Sequence, residues 1–279
     1  PRSTLLASSA ASDVYKRQAV VFVISELVCV ACVPERPVAC DEKPGKISDM
    51  FKALFKNDQA MTVVVSIILV YTSLNICGNL VLYFFRFDVG NEGAYSIFAA
   101  VAFAAQVLVM MVIPLLRKRF SKSRLFISGF IIQIAGFAVI LIMAFAKLYT
   151  PQSWYILCLP GILIYLGYGM LNVIMTIFLS DSVDYGEVMN GTREESVIFS
   201  MQTFTVKLAS GVAVFLAGLV VDWIHLDTAA AVQTQDTLNA LRMWMTIPSV
   251  ILLIVGIFVF KRFYKLDDTR MEEIKSKLN

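Results

Sequence analysis

Charged residues are scarce in this chain, at 16% against 58% hydrophobic, where a soluble domain carries about a quarter charged. That shortage excludes an ordinary fold solvated on all sides. Histidine is nearly absent, the one example being His225, next to Asp222-Trp223-Ile224. A single imidazole there cannot complete a Ser/His/Asp set or a metal-ligand cluster, and no P-loop is present. Cysteine is sparse and odd in number: Cys29, Cys32, Cys40, Cys77 and Cys158. Cys29 and Cys32 have the spacing of a redox or metal pair, but they lie in an apolar segment with no second pair, which leaves them structural. Alternating apolar and polar residues of the strand type are also missing, which argues against a membrane barrel. The net charge of +3 is small and gives no sign of a nucleic-acid partner.

What the chain has instead is long apolar runs, with a mean hydropathy of +0.74. Segments long enough to cross hydrocarbon fall at about 60–85, 94–116, 125–147, 153–180, 198–223 and 241–260, with a shorter one at 19–34. The fold class is therefore an all-α membrane protein, with a lipid bilayer as its solvent. Lysine and arginine number five in 35–59, five in 117–124, one in 181–197 and six in 261–279. The alternate connections hold only Arg86, Lys147 and Arg242, a ratio of seventeen to three. By the positive-inside rule the 35–59 connection and the 261–279 tail are cytoplasmic, in a multi-pass protein of the plasma membrane. Within 35–59, Ser48 caps a short amphipathic helix whose Phe51, Leu54 and Phe55 form one apolar face. Residues 1–18 fit this plan badly, because Lys16 and Arg17 sit on the outer side and no cleavable leader pattern follows. They read as foreign or mis-assembled sequence joined to the truncated end of a membrane helix. Asn190-Gly191-Thr192 matches a glycosylation acceptor but falls on the cytoplasmic side.

Lys207 stands near the middle of the 198–223 run, about ten residues from either end. That is roughly 15 Å of helix, beyond a lysine's reach to the surface. An ammonium at that depth costs about 2.5–3.5 kcal/mol by insertion scales, so it is expected to face a wet cavity or a partner. Other polar residues recur at helical spacing: Thr72, Asn75, Asn79 and Tyr83 in one segment, and Tyr165, Tyr168, Asn172 and Thr176 in another. Gln202 and Thr203 lie about one turn before Lys207. Gln106 and Gln133 are single amides, which interhelical hydrogen bonds alone would explain. Three polar stripes point further, to a cavity of amides, hydroxyls and aromatic rings suited to sugar hydroxyls and pyranose faces. Ala209, Ala213 and Ala217, with Gly161, Gly167 and Gly169, offer small faces for close helix packing.

The most specific stretch joins the fourth and fifth long segments: Asp181-Ser182-Val183-Asp184-Tyr185-Gly186-Glu187, then Asn190-Gly191-Thr192-Arg193-Glu194-Glu195-Ser196. Followed by Gln202, Thr203 and Lys207, it resembles the glycoside–pentoside–hexuronide:cation symporter family, whose pattern is Asp-x-x-Asp-Tyr-Gly-Glu, Gly-x-Arg, then Ser-x-Gln-Thr and a helix lysine. Lys56-Asn57 and Leu82-Tyr83-Phe84-Phe85 fit more weakly, and the resemblance runs from about residue 19 to the C-terminus.

That resemblance implies a major-facilitator fold of twelve helices in two bundles, with this chain as the C-terminal six-helix bundle and the N-terminal bundle of the same polypeptide missing. It implies cation-coupled sugar or glycoside symport by alternating access, with Na⁺ or H⁺ as coupling ion and no other cofactor. Lys207 would lie beside the ion and sugar sites, and Gln202 and Thr203 would border the sugar cavity. Asp181, Asp184 and Arg193, with Glu187 beside them, would form charge pairs closing the cytoplasmic side. The family's cation-binding aspartates belong to the absent bundle, and galactoside carriers tend to have a tryptophan near the position of Asn172. Three alternatives stay open: a lysolipid or other organic-solute symporter, a non-transporting sensor derived from a carrier, and a membrane-embedded transferase. The first favours an apolar cavity, the second a soluble output domain, and the third an acid/base or metal set facing one leaflet.

Overall fold

In the computed structural model, residues 19–28, 31–32, 55–191, 193, 195–230 and 232–278 are described. The first unit contributes α1 (Ala19–Val28), a short helix with an apolar, exposed surface. The expected amphipathic helix at 48–56 lies largely outside the described residues, as do residues 1–18, Cys29 and Cys40; Phe55 and Lys56 are helical.

The second unit is a bundle of α2 (Asp58–Tyr83), α3 (Ala94–Leu116), α4 (Lys122–Phe145), α5 (Cys158–Asn190), α6 (Glu195–Trp223) and α7 (Gln235–Phe263). A final short helix, α8 (Asp268–Leu278), follows. With their adjoining turns, α2 to α7 are six helices long and apolar enough to cross a membrane, as their uniform apolarity demands: in hydrocarbon a helix satisfies its own backbone. No strand occurs among the described residues.

Packing exchanges partners between the two halves of the bundle. Helix α2 packs on α6 and α7, α5 packs on α3 and α4, and α2 meets α5 while α4 meets α7. The first helix of each triplet thus rests on the second and third helices of the other, which interlocks two three-helix units. Gly167 permits a close backbone crossing, since a Cβ there would fall 2.5 Å from the carbonyl oxygen of Gly129 on α4. A group of aromatic rings, Phe126, Phe178, Phe260 and Tyr264, fills the end of the bundle where α4 begins and α7 ends.

Element ends differ from the expectations. Helix α5 runs ten residues past 180, so Asp181 and Asp184 share a helix face as their i, i+3 spacing implies and Glu187 is helical too, and α7 begins at Gln235 rather than 241. Both extensions are polar turns that carry on a helix begun in the membrane. Thr234 caps α7 by accepting the amide hydrogen of Thr237. After Tyr83 the chain widens into a π-helical turn, Phe84–Val89, which ends at Gly90 with φ of 74°, a conformation only glycine adopts cheaply.

Candidate functional site

Helix α6 has three faces. Thr205, Ala209, Ala213 and Ala217 are buried, and α6 packs mainly on α2. Lys207 follows Thr205 by two residues, about 200° round the helix at 100° per residue, so it points away from that contact. It is exposed in the bundle, and no hydrogen bond or ion pair joins it to another described residue. Thr203, one turn earlier, is exposed beside it, and a Cβ added at Gly211, one turn later, would meet open space. This leaves an ammonium on an open face of small residues.

The polar stripes of α2, α5 and α6 come together. Asn172 donates through Nδ2 to the Tyr71 hydroxyl at 2.5 Å, tying α5 to α2. Tyr71 stands edge-on to Tyr168, ring centroids 5.4 Å apart, and Tyr165 adds a further ring 6.4 Å from Tyr168. On the same side of α5, Gln202 of α6 donates to the Thr176 hydroxyl at 3.3 Å. Asn75 and Asn79 donate to the carbonyls of Tyr71 and Asn75 one turn back, leaving each amide oxygen free to accept. Asn75, Asn79, Asn172 and Gln202 are half-buried and Thr176 is exposed.

Sequence spacing put Thr72 on this stripe, and that is corrected: it is buried, and its hydroxyl has no partner among the described residues. Tyr71, one residue earlier, holds the place instead. Its spacing of four residues from Asn75 was the available signal, obscured because a tyrosine in an apolar run reads as core. The interhelical role expected of Gln133 is also absent: its amide is fully buried beside Gly167, with neither polar atom bonded among the described residues.

The residues expected to close the cytoplasmic side divide into two clusters. Arg193 pairs with Glu187 at 2.8 Å, Asp184 at 3.2 Å and Glu195 at 3.2 Å, all partly or fully solvated. The hydrogen bond that Arg193 donates to Glu187 holds its guanidinium above its ordinary range. Asp181 does not join them, which corrects the expected Asp181–Arg193 pair. It turns inward, 5% exposed, and pairs with Lys122 at the start of α4. Asp268, at the start of α8, lies 3.5 Å from the same ammonium. Burial, with the charges of Asp181 and Asp268, pushes the nearby Tyr264 phenol up, so it stays protonated. Residue spacing could not find this partner, because Lys122 lies 59 residues from Asp181.

A second buried pair occupies the opposite end. Arg242 of α7 grips Asp88 of the π-helical turn through Nε at 2.8 Å and a terminal nitrogen at 2.5 Å, side chains 3% and 4% exposed. The Tyr149 hydroxyl donates to the same carboxylate at 2.7 Å. Burial, then the Asp88 charge, pushes that phenol up. Among the described residues no group of His, Cys, Asp and Glu could hold a metal ion.

The family described as MFS/sugar transport protein matches residues 19–268. Relatives include an uncharacterized symporter of Bacillus subtilis, 25% identical over 90% of this chain and 54% of its own length. A raffinose carrier protein of Pediococcus pentosaceus is 23% identical over 83% of this chain and 35% of its own. An isoprimeverose transporter of Lactiplantibacillus pentosus is 26% identical over 89% and 50%. The chain spans about half the length, or less, of these relatives.

Proposed function

We propose that this chain, which belongs to the MFS/sugar transport protein family, forms one wall of the substrate path in a cation-coupled sugar or glycoside symporter working by alternating access. The observation that carries this reading is the joined polar surface of Tyr71, Asn172, Thr176 and Gln202, with Lys207 further along α6 and without a partner among the described residues. Amide and hydroxyl groups supply donors and acceptors for sugar hydroxyls, and Tyr71, Tyr165 and Tyr168 supply rings for a pyranose face. An apolar solute would leave those groups unpaired at a cost of about 1–3 kcal/mol each. The relatives named as carriers of raffinose and isoprimeverose favour the same substrate class.

In this reading the second wall, and the carboxylates that take Na⁺ or H⁺, come from a further six-helix bundle of the transporter. Lys207 then faces the ion site across the cavity, where its charge acts strongly at low dielectric. Asp184, Glu187 and Arg193 form a cluster that makes and breaks as the cytoplasmic side closes, while the buried Lys122–Asp181 pair keeps α4 and α5 together. Exposed pairs contribute only about 0–1 kcal/mol each, a scale suited to a contact that must open in every cycle. The test is uptake of radiolabelled mono- and disaccharides into cells expressing the transporter, with and without an imposed Na⁺ or H⁺ gradient. Accumulation that collapses with one gradient is expected. No uptake of any sugar, or uptake indifferent to both ions, overturns the reading.

A further inference from the structure

The bundle is open in a second place, away from the polar surface. Helices α6 and α7 are consecutive, yet each packs far more on α2 than on the other. Near the 224–234 connection the Trp223 and Trp244 rings meet at 5.3 Å, and beside that contact lies a groove of 510 Å³. Leu216 forms the α6 wall, Met243, Ile247, Pro248 and Ile251 the α7 wall, and Ile76 of α2 lines the groove between them. Ile76 follows Asn75 by one residue, about 100° round α2, so the groove and the polar surface occupy different sides of that helix.

Three observations select an occupant. The side chains lining the groove are apolar apart from the indole N–H of Trp244, whereas a water needs two to four polar partners and a sugar more. Left empty, the groove would forfeit dispersion contacts along both walls. From Met243 to Ile251 the α7 wall rises about 12 Å, close to the roughly 15 Å of hydrocarbon in one leaflet. The paired tryptophans stand at one end, the residue type that settles at the membrane–water interface. Exposed apolar side chains continue the surface, including Phe215 and Leu219 on α6 and Ile254 on α7.

We propose that this groove is a resident site for one acyl chain of a membrane phospholipid, drawn from the leaflet at the Trp223–Trp244 end. The chain completes the packing between α7 and α6, the helix that carries Lys207. Its headgroup lies level with the tryptophans, and its methylenes cover Ile76.

The test reconstitutes the protein in lipid nanodiscs with a phosphatidylcholine carrying a diazirine on its acyl chain, and maps adducts by peptide sequencing after illumination. Met111 on α3, 70% exposed, reports passing lipid. Adducts at Met243, Ile247 and Leu216 are expected to saturate with probe and to exceed those at Met111 by about fourfold, the ratio given by one methylene of net burial. Unlabelled phosphatidylcholine should compete them away while Met111 labelling falls only by dilution. Filling the groove with Leu216→Trp should remove the excess at Met243 and leave Met111 unchanged. Should that variant fail to fold, saturation and competition in the unmodified protein decide the matter. Adducts that track exposure and grow linearly with probe overturn the proposal, and so do cross-links to a second copy of the chain in place of lipid.

Discussion

At the scale of single residues, Lys207 and Tyr71 carry the sharpest consequences. Replacing Lys207 by alanine removes an ammonium whose burial in a membrane is costly, so insertion should not suffer. In the transporter that holds this bundle, Lys207→Ala should abolish gradient-driven sugar accumulation at near-normal membrane level. Lys207→Arg should fail as well, because a planar fork does not replace a compact ammonium. Near-normal accumulation by Lys207→Ala, normalised to protein in the membrane, would make the lysine structural. Tyr71→Phe keeps the ring but removes the acceptor of the Asn172 amide. One such bond contributes about 0.5–1.5 kcal/mol, so half-saturation for sugar should shift by up to about tenfold with protein level unchanged. An unaltered half-saturation would detach Tyr71 from the site. Lys207 was legible in the sequence because charge in an apolar run is rare. Tyr71 was not, since its role appears only when α5 brings Asn172 across.

At the scale of elements, the apolar runs announced six helices, and what they left unread lies at the ends. Residues 181–190 and 235–240 are polar, so an apolar run ends before them and does not show how far the helix continues. Asn57 shows a contact that such a stretch can make: its Oδ1 caps α2 at Ala60, while its Nδ2 donates to the carbonyl of Ser182 on α5 at 2.8 Å. Likewise Asp88 and Arg242 lie 154 residues apart, and only the π-helical turn and the start of α7 bring them together. Arg242→Ala would leave the Asp88 carboxylate buried with one hydroxyl donor, Tyr149. Removing one partner of a buried pair costs about 3–5 kcal/mol. Thermal unfolding in detergent should therefore drop on the order of 10 °C. The double variant Asp88→Ala with Arg242→Ala should lose less than the sum of the single changes. Additive losses would mean that the two side chains stabilise the bundle independently.

At the scale of the whole molecule, charge and packing constrain each other. The bundle sends the 117–121 and 191–194 turns, the start of α2 and the end of α7 to one end, and the 90–93, 146–153 and 224–234 connections to the other. Thirteen described lysines and arginines, namely Lys56, five in 117–124, Arg193 and six in 261–278, belong with the first end, and Arg86, Lys147 and Arg242 with the second. Two buried ion pairs mark the same polarity, Lys122–Asp181 at the first end and Asp88–Arg242 at the second. By the positive-inside rule we propose that the first end, with α8 and the Arg193 cluster, faces the cytoplasm. Single cysteines at Ser123 and Thr234, in a background with the five native cysteines replaced, test that orientation with a membrane-impermeant maleimide on intact cells. Thr234→Cys should label from outside, and Ser123→Cys only after the cells are opened. Ser123 and Thr234 sit at opposite ends of the helices, so labelling of both from one side would break the bundle topology itself. Labelling in the reverse sense would keep the bundle but turn it over, placing the Arg193 cluster on the outer side and removing its reading as a cytoplasmic closure.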